Sequence, residues 1–375
     1  MSDIRDNLTL KTRWVMRRNA ILGSATFQRW ASRTPIMRGV ARRRAAAQFD
    51  LIAGFVYSQI LSAFVQSGLV TFLRDDLRSV AEIATFTKLE THAVERLMKA
   101  GEALSLSESP QPGLWTLGEE GAPLSANDGA MAMILHHDLL YRDLSAPIAL
   151  LAKGRREETQ LSGFWTYTSK RAAAAEPMGP DYSALMAATQ PMVSQQIIDA
   201  YDFSAHTRML DIGGGSGAFV SAVLASAPRL EFGILDLPDV ILKAELRIAS
   251  SHPAKEIRFH SGSFKNDAIP SGYDLITLSR ILHDHDDDVA EALLANIQRA
   301  LPPGGRLLIV EPMADSPHAK HMGGAYFGFY LWAMNSGRPR SAREITTMLK
   351  NAGFAHVKKV KTALPIITSA LVATR

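Results

Sequence analysis

The carboxyl half of the chain alternates short apolar runs with segments of helical periodicity, and this order predicts an α/β fold built on a parallel sheet. In the helical segments apolar residues recur at the spacing expected of helices that cover such a sheet. The predicted strands cover the residues leading into Asp211 and residues 230–235, 257–260, 274–278, 306–310, 357–360 and 370–374.

The amino half is mainly helical, with a continuous helical pattern over 42–64 and two short helices over 79–106. A small β wing at 113–118 completes a winged-helix layout, which on its own suggests DNA binding. The candidate recognition helix, 90–103, carries balanced acidic and basic residues, so we expect no nucleic-acid partner. The predicted parts are a basic arm over 1–44, a helical winged-helix-like domain over 45–190 and an α/β domain over 191–375.

A glycine-rich segment, TRMLDIGGGSG at 207–217, predicts a strand, a tight turn and the start of a helix. Its glycines let the backbone approach a ligand closely, and the helix start offers unpaired N–H groups. Gly213, Gly215 and Ala218 also satisfy the dinucleotide pattern G-x-G-x-x-G/A, so a nicotinamide cofactor is an alternative guest. Asp211 favours a cationic cofactor such as S-adenosylmethionine (SAM), because its carboxylate would repel a pyrophosphate.

Polar residues follow the carboxyl ends of several predicted strands, the edge where open α/β sheets bind ligands. Asp236 ends the second strand about twenty positions past the glycines, where a carboxylate can hydrogen-bond ribose hydroxyls. His283 follows the fourth strand, and Glu311 ends the fifth. We predict that His283 is a general base for a substrate hydroxyl and that Glu311 orients and stabilises its imidazole.

The run RILHDHDDD at 280–288 has two other interpretations. Its histidines and aspartates could bind a divalent metal, but neighbours in an exposed stretch do not all converge on one point, so we expect no metal site. The three aspartates at 286–288 also suit the positive end of a helix. A helix start does not account for His283, which keeps its predicted role as a base.

Charge is distributed unevenly, because residues 1–44 hold eleven Lys or Arg against two Asp while the whole chain has a net charge of +4. This arm also contains tryptophan and aliphatic residues, so it is interpreted as a solvated helix surface or a peripheral membrane contact. The uncharged run 51–73 contains serine, glutamine and glycine, which favour a buried helix, for example at a subunit interface, over a membrane span. The absence of cysteine fits a cytoplasmic protein.

Several motifs in order carry a resemblance to a known family: DIGGGSG at 211–217, DLPDV at 236–240, GSF at 262–264, ILHDHDDD at 281–288 and PPGGRLLIVEP at 302–312. With them the chain resembles the SAM-dependent O-methyltransferases related to the plant caffeate and flavonoid enzymes. The resemblance implies a Rossmann-like SAM-binding domain with a parallel sheet and a reversed last strand. It also implies a preceding winged-helix domain that forms a homodimer and closes the partner's active site.

The resemblance assigns roles to individual residues. Gly213 would hold the methionine portion of SAM, Asp236 the ribose, and Phe264 one face of the adenine, while His283 matches the family's base and Glu311 a carboxylate beside it. The cofactor-binding residues it implies are Asp211, Gly213, Gly215, Asp236, Leu237, Ser263, Phe264 and Ser279.

Three positions depart from the family's pattern. Ser263 replaces an acidic adenine contact, and Ser279 replaces a basic one. Pro339 stands where plant members carry a second glutamate next to the base.

Two longer stretches, RWASRTPIMRGVARRRAAAQFDLIAGFVYSQIL at 29–61 and AYFGFYLWAMNSGRPR at 325–340, are similar to the carotenoid branch of this family in purple bacteria. That similarity implies a hydrophobic substrate, a long polyene with a tertiary 1-hydroxyl, and gives the basic arm a role in peripheral membrane docking. Methyl transfer to a bacteriochlorophyllide or a phenolic polyketide is an alternative on the same fold. A winged-helix regulator that senses a ligand is an alternative of another class, and it would not need His283.

Overall fold

The computed structural model describes residues 8–155, 157–165, 182–252, 256–317, 319 and 321–375. The chain forms two compact units, residues 1–122 and 123–375. This division falls earlier than residue 190, because the helices that follow residue 123 pack with the carboxyl-terminal unit. The functional division at residues 44 and 190 stays a prediction.

The amino-terminal unit has the helix, helix and small wing that the sequence predicts. Its elements are α1 (Leu10–Leu22), α2 (Ala25–Arg33), α3 (Pro35–Gln66), α4 (Leu69–Phe72), β1 (Arg78–Ser79), α5 (Val80–Thr87), α6 (Thr91–Ala103), β2 (Ser107–Gln111) and β3 (Leu114–Leu117), and α7 (Gly121–Ser125) crosses the division. The three strands pair antiparallel in the order β1–β3–β2. Ser79 and Glu82 form a capping box that fixes the start of α5.

Helix α3 corrects the expectation for the uncharged run 51–73. The run is not one helix, because α3 ends at Gln66 and Gly68, at a φ of 75°, turns the chain into α4. Within the single chain the first part of the run is exposed rather than buried, since Phe55 is 72% exposed and burial begins only near Phe64. Within the described ranges, α3 is also the one helix long and apolar enough to cross a membrane. Its role at a subunit interface stays a prediction.

The carboxyl-terminal unit is an α/β structure. Its strands are β4 (Arg208–Ile212), β5 (Glu231–Asp236), β6 (Ile257–Ser261), β7 (Leu275–Ser279), β8 (Arg306–Glu311), β9 (His356–Val360) and β10 (Ser369–Thr374). Its helices are α8 (Asp128–Leu144), α9 (Pro147–Lys153), α10 (Gln160–Phe164), α11 (Tyr182–Ile198), α12 (Ala218–Ser226), α13 (Pro238–Ser251), α14 (Asp287–Ala300), α15 (Phe327–Ala333) and α16 (Ala342–Asn351). Short 3-10 turns lie at Phe203–Ala205 and Leu282–Asp284, and a π-helical turn lies at His321–Tyr326.

The seven strands form one sheet in the order β6–β5–β4–β7–β8–β10–β9. The strands from β4 to β8 pair in parallel, and β10 runs antiparallel to both β8 and β9. The predicted parallel sheet with a reversed last strand is therefore confirmed. The chain builds outward from β4 in one direction and from β7 in the other, so the switch point, where such sheets bind ligands, lies between these two strands.

Candidate active site

A cavity lies at the carboxyl ends of β4 to β7, at the switch point of the sheet. Every cofactor-binding residue that the sequence predicts lines it, namely Asp211, Gly213, Gly215, Asp236, Leu237, Ser263, Phe264 and Ser279. Trp165 and residues of α11, among them Met186 and Gln190, contribute further wall. The lining includes Ile281, Asp284 and His285 from the segment that carries His283, but it does not include the predicted catalytic residues His283 and Glu311 themselves.

The glycine turn after β4 forms a backbone cradle at the floor of the cavity. Gly213 has a φ of 67°, and a Cβ atom there would lie 2.4 Å from Cδ1 of Ile281. Gly217, the N-cap of α12, brings no side chain to the first turn of that helix. Ala218 and Phe219, the first residues of α12, line the cavity, and the N–H groups of a helix start are suited to binding a nucleotide-like ligand.

Asp211 lies on β4 with its carboxylate buried. The Thr277 hydroxyl donates to Oδ1 of Asp211 at 2.6 Å. Burial raises the pKa of Asp211 to about 7, the bond from Thr277 opposes this rise, and the nearby charge of Asp236 adds to it. A cation in the cavity would favour the ionised form of this carboxyl, so Asp211 fits the cationic cofactor that the sequence predicts.

Asp236 ends β5 with its carboxylate already oriented. Its two oxygens accept hydrogen bonds from the backbone N–H groups of Gly215 and Leu237, each at 2.8 Å. Burial raises the pKa of Asp236, and the two backbone bonds oppose the rise. Each carboxylate oxygen keeps a lone pair, so the side chain can still accept from ribose hydroxyls.

A pair of aromatic rings also lines the cavity. Phe264 lies edge-on to His285, with ring centroids 5.3 Å apart. Burial, followed by the charge of Lys265, lowers the pKa of His285 to about 4, so its imidazole is neutral near pH 7. The sequence analysis missed His285, whose only signal was its place in the ILHDHDDD run.

The two serines that depart from the family's pattern are held by local hydrogen bonds. The backbone N–H of Ser263 donates to Asp267 at 2.7 Å, and its hydroxyl accepts from the N–H of Lys265 at 3.3 Å. The Ser279 hydroxyl accepts from Nε2 of Gln190 at 3.2 Å. Gln190 is a second residue that the sequence analysis missed, because it comes from helix α11, away from the strand ends.

His283 lies in the 3-10 turn after β7, between two carboxylates. Glu311 accepts hydrogen bonds from the backbone N–H groups of Ile281 and Leu282, at 2.9 and 2.7 Å, and contacts Nδ1 of His283. On the other side of the ring, Nε2 of His283 lies 3.1 Å from Oδ1 of Asp284. The structure therefore brings His283 and Glu311 together as predicted.

These carboxylates determine the protonation of the imidazole. Burial lowers the pKa of His283, but the charges of Asp284 and Glu311 outweigh it, so the pKa lies above its ordinary value. Burial raises the pKa of Asp284 to about 7, against the effect of His283. Pro339 carries no carboxylate, whereas Asp284 brings one to the imidazole.

The aspartates that follow this turn belong to a helix start, as one of the interpretations predicts. Asp286 is the N-cap of α14, and Asp287 and Asp288 lie in its first turn. In the part of the chain that the structure describes, no three His, Asp or Glu side chains form a group that could hold a metal ion.

An open α/β sheet whose glycine turn and strand-end carboxylates surround one cavity defines a Rossmann-like methyltransferase fold, and solved structures share it. The calicheamicin methyltransferase CalO1 with SAH bound has a TM-score of 0.73 and 24% identity, over 88% of this chain and 98% of its own. Human N-acetylserotonin methyltransferase in complex with SAM has a TM-score of 0.69 and 22% identity, over 88% and 97%.

Sequence comparison gives the family. The model of the O-methyltransferase domain matches residues 145–355. The demethylspheroidene O-methyltransferase of Rhodobacter capsulatus is 41% identical over 92% of this chain and 85% of its own length. The enzyme of that name from Cereibacter sphaeroides is 36% identical over 95% and 93%. The chain therefore belongs to the plant-type O-methyltransferase family, and it is a SAM-dependent O-methyltransferase.

Proposed function

We propose that this enzyme methylates the tertiary 1-hydroxyl of an acyclic hydroxycarotenoid, with His283 as the general base. The role of His283 as base is supported by the position of its imidazole, which lies between Glu311 and Asp284 beside the cavity. The substrate class is supported by the two relatives named demethylspheroidene O-methyltransferase, which align with more than nine-tenths of the chain.

The cofactor-binding roles are proposed residue by residue. Asp236 would hold the ribose hydroxyls, Gly213 and Gly215 would admit the methionine portion, and Asp211 would face its positive charge. Phe264 would cover the adenine, with Leu237, Ser263 and Ser279 completing the wall. Bound SAM would supply the electrophilic methyl group, its methyl–sulfur bond would break as the substrate oxygen bonds the methyl carbon, and its sulfur would leave as a neutral thioether.

Proton transfer is assigned to the turn after β7. A tertiary alcohol is too weak an acid to ionise beforehand, so Nε2 of His283 accepts its proton as the oxygen forms the new bond to carbon. Glu311 keeps the imidazole oriented through Nδ1, and both neighbouring carboxylates stabilise the imidazolium that results. The base regains its neutral form by releasing the proton to solvent.

An aromatic cluster next to the base suits an apolar substrate. The ring of Phe327 lies 5.9 Å from that of His283 and edge-on to Tyr326. Helix α8 is joined to this cluster by two polar pairs, in which Nε2 of His136 lies 2.8 Å from the Tyr330 hydroxyl and Nε2 of His137 lies 2.7 Å from that of Tyr326. Burial lowers the pKa of His136 to about 4, so the pair is uncharged near pH 7 and compatible with a polyene.

The test is methyl transfer from labelled SAM, with hydroxylated carotenoids in detergent offered beside phenolics and bacteriochlorophyllide. We expect label on the carotenoid hydroxyl, and a loss of at least about 100-fold in the His283→Ala variant. His356→Ala, an exposed histidine on β9, is the matched control and should keep full activity. Label on a phenolic or a chlorin alone would overturn the substrate, and full activity of His283→Ala would overturn the base.

We also propose that the enzyme is cytoplasmic and docks on anionic membranes through α1. Leu10, Trp14 and Ile21 share one face of this helix, with Trp14 61% exposed. Basic side chains border this face on both sides, and the guanidinium of Arg18 lies over the Trp14 ring at 5.2 Å. An apolar stripe bordered by cations is typical of a helix that lies in a membrane interface.

Vesicle sedimentation tests this docking. We expect binding to phosphatidylglycerol vesicles but not to phosphatidylcholine vesicles, with a decrease at high salt. Trp14→Ala should weaken binding, whereas Met16→Ala, on another face of α1, should not. Equal binding of the two variants would contradict the proposed face.

A further inference from the structure

The backbone of the turn that carries His283 is bound on both of its edges. Glu311 accepts from its N–H groups, as described above. Its carbonyl oxygens face the segment SGRPR at 336–340, which links α15 to α16. Four successive carbonyls accept hydrogen bonds from this segment: that of Leu282 from Nη1 of Arg340 at 2.5 Å, that of His283 from the N–H of Arg338 at 2.9 Å, that of Asp284 from the hydroxyl of Ser336 at 2.6 Å, and that of His285 from Nη2 of Arg340 at 2.8 Å.

Arg340 supplies two of these four bonds from a buried position. It is 2% exposed, and Asp287 at the start of α14 accepts from its Nε and Nη2 at 3.0 and 2.6 Å. A buried guanidinium costs free energy unless its donors are satisfied, and here they are used on the turn and on α14. The planar fork of an arginine reaches two carbonyls and a carboxylate at once, which a lysine ammonium does not.

Arg338 offers a natural contrast in the same segment. Only its backbone N–H bonds the turn, while its side chain, 39% exposed, pairs with Asp287 and Glu344. A substitution of the Arg338 side chain therefore removes a cation from the segment and leaves the four carbonyl bonds in place.

We propose that Arg340 is a positioning residue for methyl transfer, holding the backbone of 282–285 so that the His283 ring stays between Glu311 and Asp284. This inference rests on the proposed role of His283 as base. Without the guanidinium the carbonyl of His285 loses this donor and that of Leu282 keeps only the longer bond from the N–H of His285, at 3.3 Å, so the turn relaxes away from β8. A displacement of about 1 Å at a reacting group can cost on the order of 100-fold in rate.

The experiment compares Arg340→Gln and Arg340→Lys with Arg338→Gln as control. We expect Arg340→Gln to lower kcat by about 10- to 100-fold with little change in the KM for SAM, Arg340→Lys to fall between it and the wild type, and Arg338→Gln to keep its kcat. A second readout needs no substrate: the His283 signal in histidine NMR, assigned with His283→Ala, should titrate at lower pH in Arg340→Gln as the ring leaves its carboxylates.

The outcomes separate a positioning role from a merely structural one. A folded Arg340→Gln variant with wild-type kcat and an unshifted His283 titration would overturn the proposal, as would an equal loss of kcat in Arg338→Gln. If Arg340→Gln fails to bind SAM, the Arg340→Lys variant provides the test. Equal losses of kcat and of SAM affinity in Arg340→Lys would also overturn the proposal. His283→Ala could keep full activity while Arg340→Gln still shifts the His283 titration. That result would overturn the role of His283 as base but would support the positioning of its ring by Arg340.

Discussion

The His283 imidazole lies between two carboxylates, and its raised pKa has opposite consequences for activity and for stability. A base must be neutral to accept a proton, so kcat should rise with pH through an acidic limb that lies above the ordinary histidine pKa of 6.5. The stability that this group contributes is fully present below its unfolded pKa and is lost as pH rises through the raised folded pKa.

Replacing Glu311 tests this electrostatic account. Glu311→Gln removes one of the charges that raise the His283 pKa, so the acidic limb of the kcat profile should move to lower pH while the maximal kcat falls. Initial rates measured from pH 5 to 10 in the wild type and the variant provide the check. A limb that stays in place would contradict the role of Glu311.

Asp211 predicts a conflict between stability and cofactor binding. Its pKa rises from 3.8 to about 7 because it is buried, so its contribution to stability is present below pH 3.8 and is lost as pH rises through 7. At pH 8, Asp211→Asn should raise the free energy of unfolding of the ligand-free enzyme by on the order of 2 kcal/mol, because an uncharged amide replaces a buried charge. The same variant should bind SAM about tenfold more weakly, because the cation loses its partner.

Urea unfolding at pH 5 and pH 8, together with calorimetric titration of SAM, measures both effects. Thr277→Val is the matched control, because it removes the hydrogen bond to Asp211 and keeps the charge. If Asp211→Asn binds SAM as tightly as the wild type, the assignment of Asp211 to the cofactor's positive charge is wrong.

The glycine turn after β4 contains two positions at positive φ that differ in their surroundings. A Cβ at Gly213 would lie 2.4 Å from Ile281, next to the base-bearing turn, whereas a Cβ at Gly215 meets no atom within 4 Å. Gly213→Ala and Gly215→Ala should each lower the free energy of unfolding by about 1 kcal/mol, because alanine is strained at positive φ. Gly213→Ala should lower it by roughly 1–3 kcal/mol more, because its Cβ overpacks against Ile281. Urea unfolding of the two variants compares these costs, and equal values would show that Ile281 moves aside freely.

The inner strands β5 and β8 were predictable because each is buried on both faces over most of its length and is largely apolar in sequence. The run predicted at 306–310 became β8, Arg306–Glu311, and the run at 230–235 became β5, Glu231–Asp236. Helix α3 was not predictable in the same way. An uncharged run shows only that its residues are suited to burial. Whether they are buried depends on which element packs on each face of the helix, and tertiary contacts determine that element.

The residues of the candidate site were likewise predictable only in part. Asp236 and Glu311 were found because parallel strands bring their carboxyl ends to one edge of the sheet. Gln190 and Arg340 were missed because each reaches the site from a helix or connection distant in sequence, and no local pattern predicts such an approach. Asp284 was considered only as a possible metal ligand, and only the folded turn places its carboxylate at the imidazole.

At the scale of the whole molecule, the amino-terminal unit leaves two apolar surfaces exposed, and their chemistry differs. The face of α1 is bordered by cations, which favours an anionic membrane. The exposed face of α3, with Phe49, Ile52, Phe55 and Val56, has no charged side chain between Leu51 and Gln66. An exposed apolar face without charged side chains favours a second protein surface, and the predicted homodimer supplies one.

We therefore expect the enzyme to sediment as a dimer at micromolar concentration and the double variant Ile52→Asp, Phe55→Asp to sediment as a monomer, because burying two carboxylates in an apolar interface is costly. Analytical ultracentrifugation checks the mass. The matched control is Trp14→Ala, which changes α1 and should keep the dimer while weakening vesicle binding. A wild-type monomer, or a double variant with unchanged mass, would contradict the dimer surface. Loss of vesicle binding in the double variant alone would instead assign the face of α3 to the membrane.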